Sequence, residues 1–117
     1  MELDIIRWID ISELHEKGYS SEISQVPTPF VHEHKLYLFV SGREKNNHSF
    51  VSLLIINEEW EIVDIHERVF TESNKPGTFD DEGVMPSYVM KIDDQYYMFY
   101  SGWNSRNTIP YHNATGI

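Results

Sequence analysis

The chain of 117 residues is long enough for one domain with a hydrophobic core, and it contains no cysteine for disulfides or a thiolate zinc site. Nineteen acidic residues against nine basic ones give a formal charge of −10, which argues against nucleic acid or a membrane surface as a partner. The first residues lack the basic start and apolar stretch of a signal peptide, so we expect a cytoplasmic protein.

The first 25 residues form a lead-in to the first clear strand pattern. Asp10 and Glu13 are spaced as in a capping box, and Gly18 suits the end of a short helical turn. Trp8, like Trp60 further along the chain, is expected to pack against a sheet, because large aromatic side chains usually do.

Residues 26–73 alternate strand patterns with polar turns. The predicted strands lie at residues 30–31, 36–40, 50–56 and 60–65. Four successive strands joined by turns favour one antiparallel meander.

A second unit occupies residues 74–117 and begins after the turn signal Pro76-Gly77. Its predicted elements are strands at 87–92 and 96–100, a long loop at 102–111 and the start of a third strand at 113–117. The sequence therefore predicts a single, incomplete domain.

The two units repeat one pattern. Residues 26–31 return in altered form as 85–90, and residues 36–42 return as 96–102, about 60 residues later. A repeat of this length, filled with strands and turns, is typical of a β-propeller blade, which must stack on its neighbours to bury its faces. We therefore predict an all-β partial propeller of about one and a half antiparallel four-stranded blades.

Acidic residues precede the inner strand of the second unit. In propellers the inner strands line a central channel whose mouth collects polar residues, so Asp80, Asp81 and Glu82 are candidates for sugar chemistry. The alternative is that Asp80 or Asp81 caps a turn through its side chain. The spacing alone does not decide between these interpretations.

A second group of candidates follows the repeated Ser-Gly pairs. Arg43 follows the first pair, Trp103 and Asn104 follow the second, and Gln25 stands just before the first inner strand. Aromatic faces stack on sugar rings, and fork-shaped donors fix hydroxyls or acids. These residues predict a carbohydrate or carboxylate pocket.

Three strings, at residues 77–87, 100–104 and 111–116, resemble bacterial glycosidase-like proteins with a five-bladed β-propeller, which are related to glycoside hydrolase families 43 and 32. Residues 25–29 are similar to the first-blade entry of the same group. The resemblance implies a funnel-shaped sugar site at the propeller axis, with Tyr111 and Asn113 among its substrate-binding residues.

The resemblance also implies roles for acidic residues. Asp81 matches the second-blade aspartate, which orients the general acid. Gln25 and Thr28 stand where the first-blade aspartate is expected, and the third-blade glutamate would lie beyond the chain. We therefore expect an N-terminal fragment that is catalytically inactive and binds a saccharide weakly.

Two other functions stay open at this point. One is a glycoside hydrolase completed by oligomerisation or by C-terminal blades, and the other is an interaction module without a small ligand. A homo-oligomer is expected in each case, because open sheet edges favour pairing. No cofactor or metal is expected, since His32 and His34 have no evident third ligand.

Overall fold

The computed structural model describes residues 2–117, in which strands cover about half of the chain. The elements are α1 (Ile11–Glu16), β1 (Gln25–His32), β2 (Lys35–Arg43), β3 (Ser49–Ile56), β4 (Ile62–Phe70), β5 (Gly83–Ile92), β6 (Gln95–Asn104) and β7 (His112–Gly116). The all-β prediction is confirmed, and the seven strands form one open, mixed sheet.

The sheet consists of two antiparallel meanders. Strands β1 to β4 pair in chain order, as predicted, and β5 to β7 do the same. The meanders are joined by one parallel pairing, between Ser49 of β3 and Gly83 of β5. Strand β1 also packs against β5, and the ring of Phe30 on β1 lies 5.2 Å from that of Tyr96 on β6. Both meanders therefore contribute residues to the region around the Ser49–Gly83 pairing.

The main core lies between the first meander and the N-terminal segment. Its buried side chains come from α1, the following turn and β2 to β4, and are Leu14, Tyr19, Val40, Leu54, Ile56 and Ile62. Burying an aliphatic side chain of this size stabilises the folded state by about 1.5–3 kcal/mol. This core fixes the strands of the first meander, and Arg43 is the last residue of one of them, β2.

Helix α1 begins as the sequence predicts, with Asp10 as its N-cap. The Asp10 carboxylate accepts hydrogen bonds from the Ser12 hydroxyl and the Glu13 N–H, which lower the pKa of Asp10. The reciprocal half of the capping box is absent in the described residues, because the Glu13 carboxylate pairs with Arg7 instead. Gly18 follows the helix with a φ of 99°, a conformation that favours glycine.

The predictions for two tryptophans were wrong. Trp60 lies in a turn with a φ of 64°, and β4 begins only at Ile62. The side-chain oxygen of Asn57 accepts hydrogen bonds from two backbone N–H groups of this turn, which holds the chain out of the strand conformation. Trp8 is 76% exposed and Trp60 is 43% exposed, so neither is a core residue.

The predicted loop at residues 102–111 is shorter in the structure. Strand β6 continues to Asn104, because Trp103 and Asn104 pair with Asn113 and His112 of β7. This extension brings Trp103 into the sheet. In residues 2–117 no helix has the length and apolar character needed to span a membrane.

Candidate functional site

A single row of paired residues crosses both meanders. Arg43 pairs with Ser49, Ser49 with Gly83, Gly83 with Trp103, and Trp103 with Asn113. Directly paired residues present their side chains on the same face of a sheet. The row therefore places Arg43, Trp103 and Asn113 on one face, although 70 positions separate the first from the last.

Trp103 is the centre of this row. Its indole Nε1 donates a hydrogen bond to Ser49 Oγ at 2.8 Å, and Ser49 Oγ donates to the carbonyl of Val84 at 3.0 Å. The indole passes over Gly83, where a Cβ atom would overlap both Trp103 Nε1 and Ser49 Oγ. A residue without a side chain is therefore required at position 83.

Arg43 is stacked on the tryptophan. Its guanidinium carbon lies 5.5 Å from the centre of the Trp103 ring, which is a cation–π contact. One of its terminal nitrogens, Nη1, donates to the backbone carbonyl of Asn47 at 3.0 Å. Arg43 is thus oriented by the β2–β3 loop and by the second meander together.

A cleft of about 350 Å³ opens beside this pair. It is lined by Arg43, Asn47, Met85, Trp103, Tyr111 and Asn113. Four of these residues were predicted from the sequence as substrate-binding residues, and the structure brings them together. Tyr111 is 59% exposed, so its ring is free to receive a ligand at the rim.

The other predicted residues of this group do not line the cleft. Tyr100, Gly102 and Asn104 alternate with Trp103 along β6 and so face the opposite side of the sheet. On that side the Asn104 amide donates to the carbonyl of Thr78 at 2.8 Å. Asn104 is buried there, on the face away from Arg43 and the cleft.

Asp80 lies on the same far side. Its side chain packs where a Cβ on Gly102 would be, and its carboxylate accepts a hydrogen bond from the Tyr100 hydroxyl at 3.0 Å. Asp80 is only 9% exposed. It therefore contacts the back of β6 rather than a ligand in the cleft.

Asp81 closes the turn that precedes β5. Its Oδ2 atom accepts a hydrogen bond from the Gly77 N–H at 2.5 Å, so the alternative of a turn-capping carboxylate is confirmed for this residue. Its Oδ1 atom is buried and has no hydrogen-bond partner among the described residues. The catalytic role that the resemblance implies for Asp81 stays a prediction.

Gln25 begins β1 and lines a separate cleft of about 160 Å³. That cleft is bordered mainly by apolar side chains, including Leu14, Val40 and Leu54. The described residues therefore place Gln25 beside the main core and not with Arg43. No group of three or more histidine, aspartate or glutamate side chains in residues 2–117 is arranged to hold a metal ion.

Sequence reasoning missed two residues of the cleft. Met85 is the counterpart of Val26 in the repeat, and nothing in its type suggested a site. Asn47 lies in the polar β2–β3 loop with a φ of 69°, a conformation in which asparagine is common. The sequence feature that could have indicated Asn47 is its place in the polar loop that follows the first Ser-Gly pair.

The Tyr100 hydroxyl provides a test of the contact with Asp80. Burial, and then the hydrogen bond donated to Asp80, raise the pKa of Tyr100 above its usual value of about 10. The stabilisation that the protonated Tyr100 hydroxyl gives the folded state is therefore complete below about pH 10. It is lost as the pH rises through the raised pKa of Tyr100. The difference in phenolate absorbance between the native protein and Tyr100→Phe, recorded against pH, is expected to show a midpoint above 10. A midpoint at or below 10 would contradict the buried contact.

No model of a known family matches the chain, and no solved structure matches it. Two curated relatives are uncharacterized proteins of Mycobacterium tuberculosis, from strains CDC 1551 / Oshkosh and ATCC 25618 / H37Rv. Each is 28% identical over 105 residues, which cover 87% of this chain and 35% of the relative. The chain thus spans about one third of the length of these relatives, and its function is argued from the cleft itself.

Proposed function

We propose that the chain is a saccharide-binding part of a glycosidase-like propeller and that it does not hydrolyse glycosides by itself. One observation carries the proposal: Arg43, Trp103, Tyr111 and Asn113 converge on one cleft. Arg43 belongs to the first repeated unit and the other three to the second, and these residues, each of a type suited to sugars, meet at the joint between the two units.

The chemistry of the lining fits a sugar. The Tyr111 ring offers an apolar face for stacking, while the Asn113 amide and the Arg43 guanidinium offer donors and an acceptor for hydroxyl groups. A volume of about 350 Å³ is at the lower end of the range for small-ligand sites. A mono- or disaccharide therefore suits the cleft better than a long chain.

The propeller is part of this proposal. The four-stranded meander, the second meander of the same order and the packing of β1 against β5 support two successive blades of one propeller. The 28% identity to relatives about three times as long supports further blades in the whole relatives. The five-bladed form is proposed from the sequence resemblance.

Hydrolysis is not expected from the cleft. Canonical glycoside hydrolysis requires two carboxyl groups about 5 to 9.5 Å apart across the scissile bond. The described residues that line the cleft include neither aspartate nor glutamate. A complete hydrolase would need carboxyl groups from another copy or from further blades, and that alternative stays a prediction. Self-association through the exposed edges of β4 and β7 also stays a prediction.

A pair of tyrosine variants tests the proposal. Tyr111 and Tyr88 are 59% and 61% exposed, and only Tyr111 lines the cleft. Tyr111→Ala is expected to weaken saccharide binding at least about tenfold, because about 1.4 kcal/mol of stacking is lost. Tyr88→Ala is the matched control and should leave the affinity unchanged. The measurement is calorimetric titration of both variants with a panel of neutral and acidic mono- and disaccharides.

Two results would contradict the proposal. The first is that no sugar in the panel binds the native protein. The second is that Tyr111→Ala and Tyr88→Ala bind a sugar equally well, which would place the site elsewhere. Release of reducing sugar during the titration would separately contradict the absence of hydrolysis.

A further inference from the structure

The guanidinium of Arg43 differs from those of Arg7 and Arg68 in its partners. Arg7 pairs with Glu13, and Arg68 pairs with Glu44. Within residues 2–117 no carboxylate lies within ion-pair distance of Arg43. Arg106 also lacks a carboxylate partner among these residues, but it is exposed and contacts only His112, whereas Arg43 is half-buried beside the cleft.

The acidic residues nearest to Arg43 are engaged elsewhere. Glu44 and Glu22 line the neighbouring cleft, which Arg43 also borders. Glu44 is held by Arg68, and Glu22 lies 3.9 Å from the imidazole Nε2 of His15. Neither glutamate forms an ion pair with Arg43.

The guanidinium is nevertheless held in place. Stacking on Trp103 and the bonds from Nη1 to the Asn47 carbonyl and side-chain oxygen fix its plane. Its Nε and Nη2 atoms have no hydrogen-bond acceptor among the described residues. An oriented guanidinium with unused parallel donors matches the two oxygens of a carboxylate or phosphate, and little rotamer freedom remains to be lost on binding.

From these contacts we propose that the cleft selects sugars that carry an anionic group, with Arg43 binding that group. The proposal rests on the saccharide function proposed above and names its ligand class. The anionic group, a carboxylate or a phosphate, lies against Arg43, and the sugar ring extends toward Tyr111 and Asn113. None of the described residues that line the cleft is acidic, so no carboxylate inside it repels the anionic group, and Glu22 and Glu44 lie in the neighbouring cleft.

The test compares sugars that differ only in the group at C6, which is neutral in glucose and anionic in the other two. Glucose, glucuronate and glucose 6-phosphate are titrated into the native protein, into Arg43→Gln and into Lys91→Gln. Lys91 is exposed on β5 and does not line the cleft, so its loss controls for the change in net charge. At least one acidic sugar is expected to bind the native protein about tenfold or more tightly than glucose, with the advantage shrinking as salt is added.

The outcomes separate this proposal from the proposed function. Loss of the acidic preference in Arg43→Gln, with the affinities and the acidic preference of Lys91→Gln unchanged, supports it. Equal binding of glucose and both acidic sugars by the native protein overturns it and leaves the saccharide function standing. An acidic preference that survives in Arg43→Gln also overturns it. Binding of none of the three sugars overturns it as well, and the saccharide function is then decided by the wider panel of mono- and disaccharides. The glucuronate and phosphate arms show which anion the site accepts.

Discussion

Replacing Gly83 with valine is expected to lower the free energy of unfolding by about 3 kcal/mol. A side chain at this position would overlap the Trp103 indole and the Ser49 hydroxyl, which meet directly above Gly83. To relieve the overlap the indole must move, which breaks its hydrogen bond to Ser49 and removes the surface on which Arg43 is stacked. The variant should therefore lose stability, and the cleft beside Trp103 should lose its shape.

Urea unfolding followed by circular dichroism measures this effect. Ser87→Val is the matched control on the same strand, because Ser87 is exposed and its change is expected to stay within about 0.5 kcal/mol. If Gly83→Val does not fold, Gly83→Ala supplies a smaller overlap and a measurable midpoint. A Gly83→Ala protein as stable as the native one would contradict the contact between Trp103 and Ser49.

Replacing Leu54 with alanine is expected to cost about 3 kcal/mol. Leu54 is 1% exposed in the centre of β3 and contributes to the core between the first meander and α1. Truncation removes the buried methyl groups and leaves a cavity that the paired strands β2 and β4 cannot collapse to fill. Because Arg43 ends β2 and Ser49 begins β3, loosening of this core should also disturb the geometry of the cleft.

Leu3→Ala is the control for Leu54→Ala, since it makes the same chemical change at a side chain that is 83% exposed. Thermal unfolding of the two variants should differ by several degrees, with Leu3→Ala close to the native protein. Equal midpoints for both variants would show that β3 is not at the centre of the core.

The strand patterns predicted most of the fold, because period-two alternation and polar turns are local properties. The two meanders and the N-cap at Asp10 follow from such signals. Trp60 was assigned to a strand because its type favours one, whereas the hydrogen bonds of Asn57 place it in a turn. Hydrogen bonds from one side chain to the backbone two and four residues later leave no periodic pattern in the sequence, so strand alternation could not reveal this turn.

The candidate site was predicted only in part. The repeat aligned Arg43 with Trp103, and the structure brings these equivalent positions together at the joint between the units. The second Ser-Gly pair groups Asn104 with Trp103, but alternation along β6 puts Asn104 on the other face, where Asp80 also packs. Trp103 and Asn104 follow this alternation because β6 extends further than its sequence pattern indicated and pairs both residues with β7.

The central claim is that the cleft beside Trp103 binds a saccharide, and the indole N–H resonances of the three tryptophans test it most directly. In a ¹H–¹⁵N spectrum Trp103 is assigned by its absence in Trp103→Phe, and Trp8 and Trp60 serve as internal controls. Titration with the best saccharide of the panel is predicted to shift the Trp103 signal progressively to saturation and leave the other two in place. A saturating titration in which Trp103 does not move, or in which Trp8 or Trp60 moves instead, would contradict the account.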